Sequence, residues 1–378
     1  MVCSRYWRLI APASLVLLQF FVGLAKAELE IEAKAWVLFD AHTSSVVLSH
    51  NPDLALPPAS ITKLMTNYVV FSQLKTGELS MGDKVPISTA AWSAEGSRMF
   101  AEEGSRLELG ALLRSSIVQS GNDAAIALAE FSGGSEDGFA ILMNQAATDL
   151  GLSQSNFVNS SGLPAEGHAM SALDIAKLSK AIIDEFPEFY SWYSEKEYTH
   201  NGIRQFNRNK LLWEDSTVDG LKTGHTEAAG YCLVGSAKRR DHRWIAVVMG
   251  SKSEKQRSKD VLRLLNYGFN SYELVNAVSV EDELANIKIF GGIDDSLSLR
   301  AFSEGSVLIQ RGQSDNLRTE LVHAPYIEAP IEEGQVLGSI KIKLDDKVLD
   351  EVPLVAAHTV DKGSWWKQFV DSIKLRLR

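Results

Sequence analysis

The sequence predicts an α+β protein: an antiparallel sheet with a helical cluster, then a small all-β domain, then a C-terminal amphipathic helix. Three observations carry this. Residues 34–50 read as two short strands, the chain from about 60 to 185 carries helical apolar spacing, and strand patterns return from about 217. Strands on both sides of a helical stretch place the two ends of that domain in one shared sheet. After about 276, Ile287–Phe290, Ser306–Ile309 and Ser339–Lys343 alternate with period two between Gly and Asp turns. The composition suits a well-buried chain of 378 residues, with 45% apolar, 23% charged and 8% aromatic residues. It excludes a disordered chain and a disulfide-stapled miniprotein. With 38 basic against 48 acidic residues, net −10, the chain lacks the positive footprint of a nucleic-acid binder.

Residues 1–27 read as a secretory leader. Arg5 and Arg8 precede an apolar run, Leu9 to Leu24, that ends at Ala25-Lys26-Ala27. At 16 residues, with Pro12 and Ser14 inside it, the run is shorter than the roughly 20 needed to span a bilayer, so cleavage after Ala27 is expected rather than an uncleaved anchor. Cleavage leaves 35 basic against 48 acidic residues, −13, and removes Cys3. Cys232 then stands alone in the apolar stretch Tyr231–Val234, where it reads as a small core residue.

The domain over 28–276 opens with strands Ala35–Phe39 and Val46–Leu48. Pro57-Pro58 breaks the chain, and a helix from Ser60 to about Lys75 ends at Thr76-Gly77. Helical spacing recurs at 108–131, 137–150 and 171–185, the last opening with Ser171 and Asp174 as a capping box. Gly220–Gly224, Tyr231–Ala237 and Trp244–Met249 read as antiparallel strands before a helix over 254–272. The small β-domain covers 277–360. In 361–378, Trp365, Phe369, Ile373 and Leu377 recur every four residues, with Lys367, Lys374, Arg376 and Arg378 nearby. Such a helix suits the plane of an anionic membrane surface; the alternative is a terminal helix docked on its own protein.

Three short motifs fall at element boundaries. Ser60-Ile61-Thr62-Lys63 places a hydroxyl and an amine on one helix face, where a neutral amine could take the serine proton. At a helix start, the Ser60 N–H is also free for a developing oxyanion. Ser120-Gly121-Asn122 lies between two helical runs and can turn a hydroxyl and an amide toward one cleft. Lys222-Thr223-Gly224 offers a cation, a hydroxyl and a residue without a side chain where substrate backbone must lie close; the N–H of His225 could be a second oxyanion donor. Each motif alone is weak, and Ser72–Lys75, Lys75-Thr76-Gly77, Ser364–Lys367 and Ser314-Asp315-Asn316 match by form alone. Context rejects them. Ser72 lies about 120° around the helix from Ser60, near an end where carbonyls rather than N–H groups are unpaired.

The ordered set resembles the penicillin-recognising serine enzymes. Pro58–Thr66, Gln119–Ala124, Asn207-Arg208-Asn209 and Asp219–Thr226 look like the low-molecular-mass penicillin-binding proteins, the D-alanyl-D-alanine carboxypeptidases, and the resemblance covers nearly the whole chain. It implies a transpeptidase/β-lactamase-like domain in an enzyme of the bacterial periplasm, peripheral on the outer face of the cytoplasmic membrane, that trims peptidoglycan stem peptides. Carried onto this chain, Ser60 would attack the carbonyl between two D-alanines and Lys63 would be the base, kept neutral by nearby Lys222. Ser120 would relay a proton to the leaving D-alanine, and Asn122 would hold Lys63 and the substrate amide. Thr223 and Arg257 would bind the terminal carboxylate with Lys222, and Arg208 would support that wall. β-Lactams would acylate Ser60 likewise. The chain departs from some members at Ser160-Ser161, where a histidine is expected before Gly162-Leu163.

Two other functions compete. A secreted β-lactamase would need a glutamate aimed at water, and Glu197 with Asn201 is the nearest match, on a strand-like stretch. A cell-wall-binding scaffold would not need Ser60, Lys63, Ser120 and Lys222 intact. The eight histidines form no H-E-x-x-H pair and no Gly-rich nucleotide loop follows a strand, so neither metal nor cofactor is expected.

Overall fold

Strands β1 (Ala35–Asp40) and β2 (Ser45–His50) pair as a hairpin. The computed structural model describes residues 29–376. The leader read over 1–27, Leu377 and Arg378 lie outside the described residues. From Ile31 onward the chain forms a single contact unit.

A 3-10 turn at Ala59–Thr62 runs directly into α1 (Lys63–Thr76). The helix expected from Ser60 is therefore two pieces. Pro57-Pro58, and Ala59 held at φ +49°, set a tighter first turn before α-helical geometry begins. α1 stops at Gly77, whose φ of +79° lets its N–H turn back to the Leu74 carbonyl.

Next come β3 (Lys84–Pro86), α2 (Thr89–Trp92) and β4 (Arg106–Glu108), with β3 and β4 paired. Strands of three residues are too short to leave a period-two signature. α3 (Leu109–Val118) and α4 (Asn122–Gly133) divide the stretch 108–131 at the Ser120-Gly121 turn. α5 (Glu136–Asp149) and α6 (Ala172–Glu185) follow. Ser171 does cap α6, its hydroxyl accepting from the Asp174 N–H at 3.1 Å. The expected reciprocal half of the box is replaced: the Asp174 carboxylate is taken by Gln154 N–H and the Ser155 hydroxyl, both at 2.8 Å.

After α7 (Pro187–Tyr190), the hairpin of β5 (Glu197–His200) and β6 (Ile203–Phe206), and α8 (Leu211–Glu214), the chain enters β7 (Val218–Thr226), β8 (Gly230–Arg239) and β9 (His242–Ser251). The main sheet has the order β2-β1-β9-β8-β7 and is antiparallel throughout. β1 pairs with β9 from Ala35–Met249 to Asp40–Trp244, so the ends of the domain share one sheet. β8 and β9 are buried from Cys232 to Ala237 and from Trp244 to Met249. Helices explain this: α9 (Glu254–Ser271) packs on β8 and β9, while Val37, Phe39, Ile245 and Val247 share a core with Leu64, Phe71 and Ile175. Each buried large aliphatic or aromatic side chain there contributes roughly 1.5–3 kcal/mol. β7 is left at the sheet edge, beside the start of α1.

The β-rich region contains β10 (Tyr272–Val278), β11 (Glu283–Phe290), β12 (Ser296–Ala301), β13 (Gly305–Gln310), β14 (Leu317–His323), β15 (Ile327–Glu328), β16 (Val336–Leu344) and β17 (Lys347–Ala356). Six strands form a sheet of order β14-β16-β17-β12-β11-β15, with β10 and β13 paired apart from it. Ile287, Leu299, Ile309, Ile342 and Leu354 fill its core. α10 (Trp365–Arg376) closes the described chain. Among the described residues, no helix is long and apolar enough to cross a membrane.

Candidate active site

In a 3-10 turn, side chains at i and i+3 eclipse, and Ser60 and Lys63 span such a turn. Lys63 Nζ lies 3.0 Å from Ser60 Oγ. The amine also donates to Asn122 Oδ1 and to the Ser161 carbonyl, each at 2.6 Å. The Asn122 amide is oriented from its other end, where Nδ2 donates to the Glu95 carbonyl at 2.6 Å. Oδ1 must therefore face Lys63. Two acceptors that cannot donate occupy two N–H bonds, and the remaining direction faces Ser60. In a neutral amine that direction is the lone pair. Lys63 is fully buried, and burial lowers its pKa to about 7 against the opposing pull of Asp123 and Glu136. Near neutral pH the amine can take the Ser60 proton.

The turn carrying Ser60 is gripped from two sides. Gly162, at φ +81°, lies so close to Ala59 that a Cβ there would sit 1.9 Å from the Ala59 carbonyl oxygen. His168 Nδ1 accepts from the Val158 N–H at 3.0 Å, which leaves its Nε2–H to donate to Thr62 Oγ1 at 2.7 Å. Thr62 then donates to the Ala59 carbonyl at 2.8 Å. Burial lowers the His168 pKa to about 4, so the ring stays neutral in this role.

Ser120 occupies the left-handed region at φ +67°, and its Oγ accepts from Lys222 Nζ at 2.7 Å. Next to Asn122, the buried Asp123 carboxylate accepts from the N–H groups of Met99 and Ala101, at 2.9 and 3.2 Å, and so pins the loop that carries Ser97.

The opposite wall is the edge strand β7. Lys222, Thr223 and Gly224 are buried, and His225 is exposed with its ring 4.0 Å from that of Tyr231. At Gly224 a Cβ would lie 2.7 Å from the Pro58 carbonyl and 3.2 Å from Ile61 Cγ1. The expected reason for this glycine was room for substrate backbone; in the structure the close neighbour is the turn that bears Ser60. Arg257, from α9, is buried and donates to the carbonyls of Gly224 and Cys232 at 3.0 and 3.4 Å, with Glu254 3.6 Å away. Arg208 is exposed and reaches Ser97 Oγ at 3.5 Å.

These groups enclose a cleft of about 330 Å³. Ser60, Ser120, Asn122, Arg208, Thr223, Gly224, His225 and Arg257 line it, while Lys63 and Lys222 stand behind the two serines they touch. Burial is the leading cause that lowers Lys63, and burial and then Lys63, Arg257 and Arg208 push Lys222 well below an ordinary lysine; the repulsion between the two amines acts on both.

Several cleft groups left little sequence signal. The Ser161 carbonyl is a backbone atom and carries no residue preference; Ser97, Tyr231 and Glu254 come from separate segments. The rejected matches fall elsewhere. Ser72 bonds within α1 to the Tyr68 carbonyl, and Ser314–Asn316 form a 3-10 turn in the β-rich region. Glu197 pairs with Arg204 in the β5–β6 hairpin and is absent from the cleft lining. Cys232 is a buried free thiol whose pKa burial raises, as a core residue requires. Among the described residues no group of His, Cys, Asp and Glu could hold a metal ion.

The chain is similar to known proteins over most of its length. A family model for D-alanyl-D-alanine carboxypeptidases matches residues 23–253, and one for the C-terminal domain of penicillin-binding protein 5 matches 272–362. The chain is 39% identical over 354 residues to the D-alanyl-D-alanine carboxypeptidase DacA of Escherichia coli (strain K12), covering 92% of this chain and 88% of that one. Penicillin-binding protein 5 from Haemophilus influenzae superposes with a TM-score of 0.81 at 36% identity, over 88% of this chain and 98% of that one. Penicillin-binding protein D2 from Listeria monocytogenes, solved with ampicillin bound, gives 0.57 at 30% identity over 64% and 98%. With the family model running across Ser60, Ser120 and Lys222 and the relatives matched over most of their length, the chain belongs to the D-alanyl-D-alanine carboxypeptidase family and is a serine hydrolase of that kind.

Proposed function

We propose that the enzyme removes the terminal D-alanine from peptidoglycan stem pentapeptides through an ester on Ser60. Lys63 Nζ takes the Ser60 proton as Oγ attacks the penultimate carbonyl carbon, and the oxyanion forms against the N–H groups of Ser60 and His225. The C–N bond then breaks. Ser120, whose oxygen already accepts from Lys222, relays to the departing amine the proton that Lys63 took from Ser60, so that Lys63 is neutral again. Asn122 holds the amine and the substrate amide, while Thr223 and Arg257 receive the terminal carboxylate, with Lys222 supplying charge and Arg208 supporting the rim. Water, deprotonated by Lys63, hydrolyses the ester. A β-lactam carbonyl is attacked in the same way, with the ester left on Ser60.

The observation that carries this reading is the hydrogen bonding of Lys63. Two pure acceptors occupy its N–H bonds and leave the third direction to Ser60. The test is mass spectrometry of a D-Ala-D-Ala pentapeptide with the wild type and Ser60→Ala. Loss of one alanine, abolished together with fluorescent-penicillin labelling in the variant, is expected. Rapid nitrocefin turnover without peptide cleavage, or labelling that survives in Ser60→Ala, overturns it.

In this reading the leader is cut after Ala27 and the enzyme works in the periplasm, with 28–276 as catalytic domain, 277–360 as β-domain and 361–378 as anchor. Support for the anchor lies in α10. Trp365, Trp366, Phe369 and Ile373 are 74, 59, 53 and 43% exposed, whereas Asp371 is buried and accepts from the Gly291 N–H at 3.0 Å. One face is docked and an aromatic face with nearby cations is open to a membrane interface. Deleting 363–378 should release the protein from sedimenting membranes; unchanged sedimentation would refute the anchor.

A further inference from the structure

The loop that supplies the Ser161 carbonyl to Lys63 is itself held by a carboxylate that no part of the proposed mechanism uses. Glu136 is the first residue of α5, after Ser135, whose hydroxyl caps the helix by accepting from the Gly138 N–H at 3.0 Å. Its Oε2 accepts from the Ser160 N–H at 3.0 Å and its Oε1 from the Ser160 hydroxyl at 2.5 Å. Ser160 is fully buried, and its carbonyl accepts from Thr66 Oγ1, one turn along α1 from Lys63, at 2.6 Å. One residue is thus gripped at its N–H, hydroxyl and carbonyl. The next carbonyl along the chain, that of Ser161, is the one that meets Lys63 Nζ at 2.6 Å.

We propose that Glu136 is a positioning residue for Lys63: its carboxylate fixes Ser160 so that the Ser161 carbonyl faces the amine, and its negative charge acts on the ammonium form. This rests on Lys63 as the base that activates Ser60. Ser160, which Glu136 grips, lies in the Ser160-Ser161 pair where a histidine is expected just before Gly162. The electrostatic half has support from the surroundings of both groups. Asp123 and Glu136 favour protonated Lys63, against burial, while Lys222 faces it with Arg208 and Arg257 behind. Glu136 faces Glu130 and Asp137; burial raises its pKa, and the Ser160 bonds oppose that rise.

The test is the second-order rate of acylation by a fluorescent penicillin, measured from about pH 5 to 9 on the full chain, where the acid limb reports the loss of a proton from the base. Glu136→Gln keeps the shape and an acceptor for the Ser160 N–H but removes the charge. Less stabilisation of the ammonium lowers the pKa of Lys63, so the acid limb should move down by roughly half a unit with the plateau within about threefold of wild type. At about pH 6 this variant should retain a larger fraction of its plateau rate than the wild type does. Glu136→Ala should cut the plateau about tenfold, because the Ser161 carbonyl is no longer fixed. If that variant does not fold, Ser160→Ala, which removes only the hydroxyl end of the clamp, should lower the plateau and leave the limb in place. An unmoved limb in Glu136→Gln refutes the electrostatic role, and an unchanged plateau in the truncations refutes the clamp. Wild-type acylation in Lys63→Met would instead refute the base assignment itself.

Discussion

Lys63 and Lys222 share a residue type, near-complete burial and a serine hydroxyl within hydrogen-bond reach, yet their surroundings differ in sign. Lys63 has Asp123 and Glu136 nearby and two fixed acceptors on its N–H bonds. Lys222 faces Lys63, Arg257 and Arg208, and its bonds go to Ser120 Oγ and the Thr223 carbonyl. Burial lowers both. On the acidic side that effect stops near neutrality, which suits a base. On the cationic side the charged form of Lys222 has no counter-charge until an anion arrives and favours it, which suits recognition of a carboxylate. What separates two chemically identical side chains is the charge of their second neighbours, and no local motif contains it.

The strongest way to break this comparison is to truncate each lysine. Under the proposed mechanism, Lys63→Met should slow acylation by about a thousandfold, the loss of a general base. Lys222→Met should lower kcat/KM by about a hundredfold for peptides ending in a free carboxylate. A C-terminal amide should cost the wild type a similar factor and the Lys222 variant much less. Equal losses on both substrates in that variant would break the assignment of Lys222 to the carboxylate.

A pH profile sharpens the acidic side. Because burial places the Lys63 pKa near 7, acylation should fall tenfold per unit below about pH 7 as the lone pair is protonated, and level off above it. A limb near the ordinary lysine value would mean that burial does not set the base.

Smaller effects concern the turn that both walls share. Gly224→Ala brings a Cβ within 2.7 Å of the Pro58 carbonyl, so the Ser60 turn or β7 must shift. Such overpacking costs about 1–3 kcal/mol, and the variant should acylate about tenfold more slowly with a lower urea midpoint. His168 gives a stability signature. Its folded pKa of about 4 lies below the unfolded value of about 6.5, so only the unfolded chain takes up a proton between them. Its contribution is complete above pH 6.5 and is lost as pH falls through 4, on the order of 3 kcal/mol. Urea midpoints should track that window and flatten in His168→Gln.

Much of the site was legible because its side chains do the work in their own motifs. Ser60 with Lys63, Ser120 with Asn122, and Lys222 with Thr223 converge from the 3-10 turn, the α3–α4 turn and β7 as their types and boundaries indicated. The Ser161 carbonyl and the Glu95 carbonyl that orients Asn122 were not legible, since any residue supplies a carbonyl. The β3–β4 pair was too short to show a period. The real neighbour of Gly224 is a turn more than 160 residues away in the chain, out of reach of any local pattern.

Spacing and periodicity are properties of neighbouring residues, so the candidate serine and amine, the order of the motifs, the shared sheet and the β-rich region after about 276 could all be read along the chain. Folding alone settles which amine is flanked by acids, which carbonyl meets Lys63, and what lies against Gly224. Those depend on burial and on charges brought together from distant segments, and both come into being only when the chain folds.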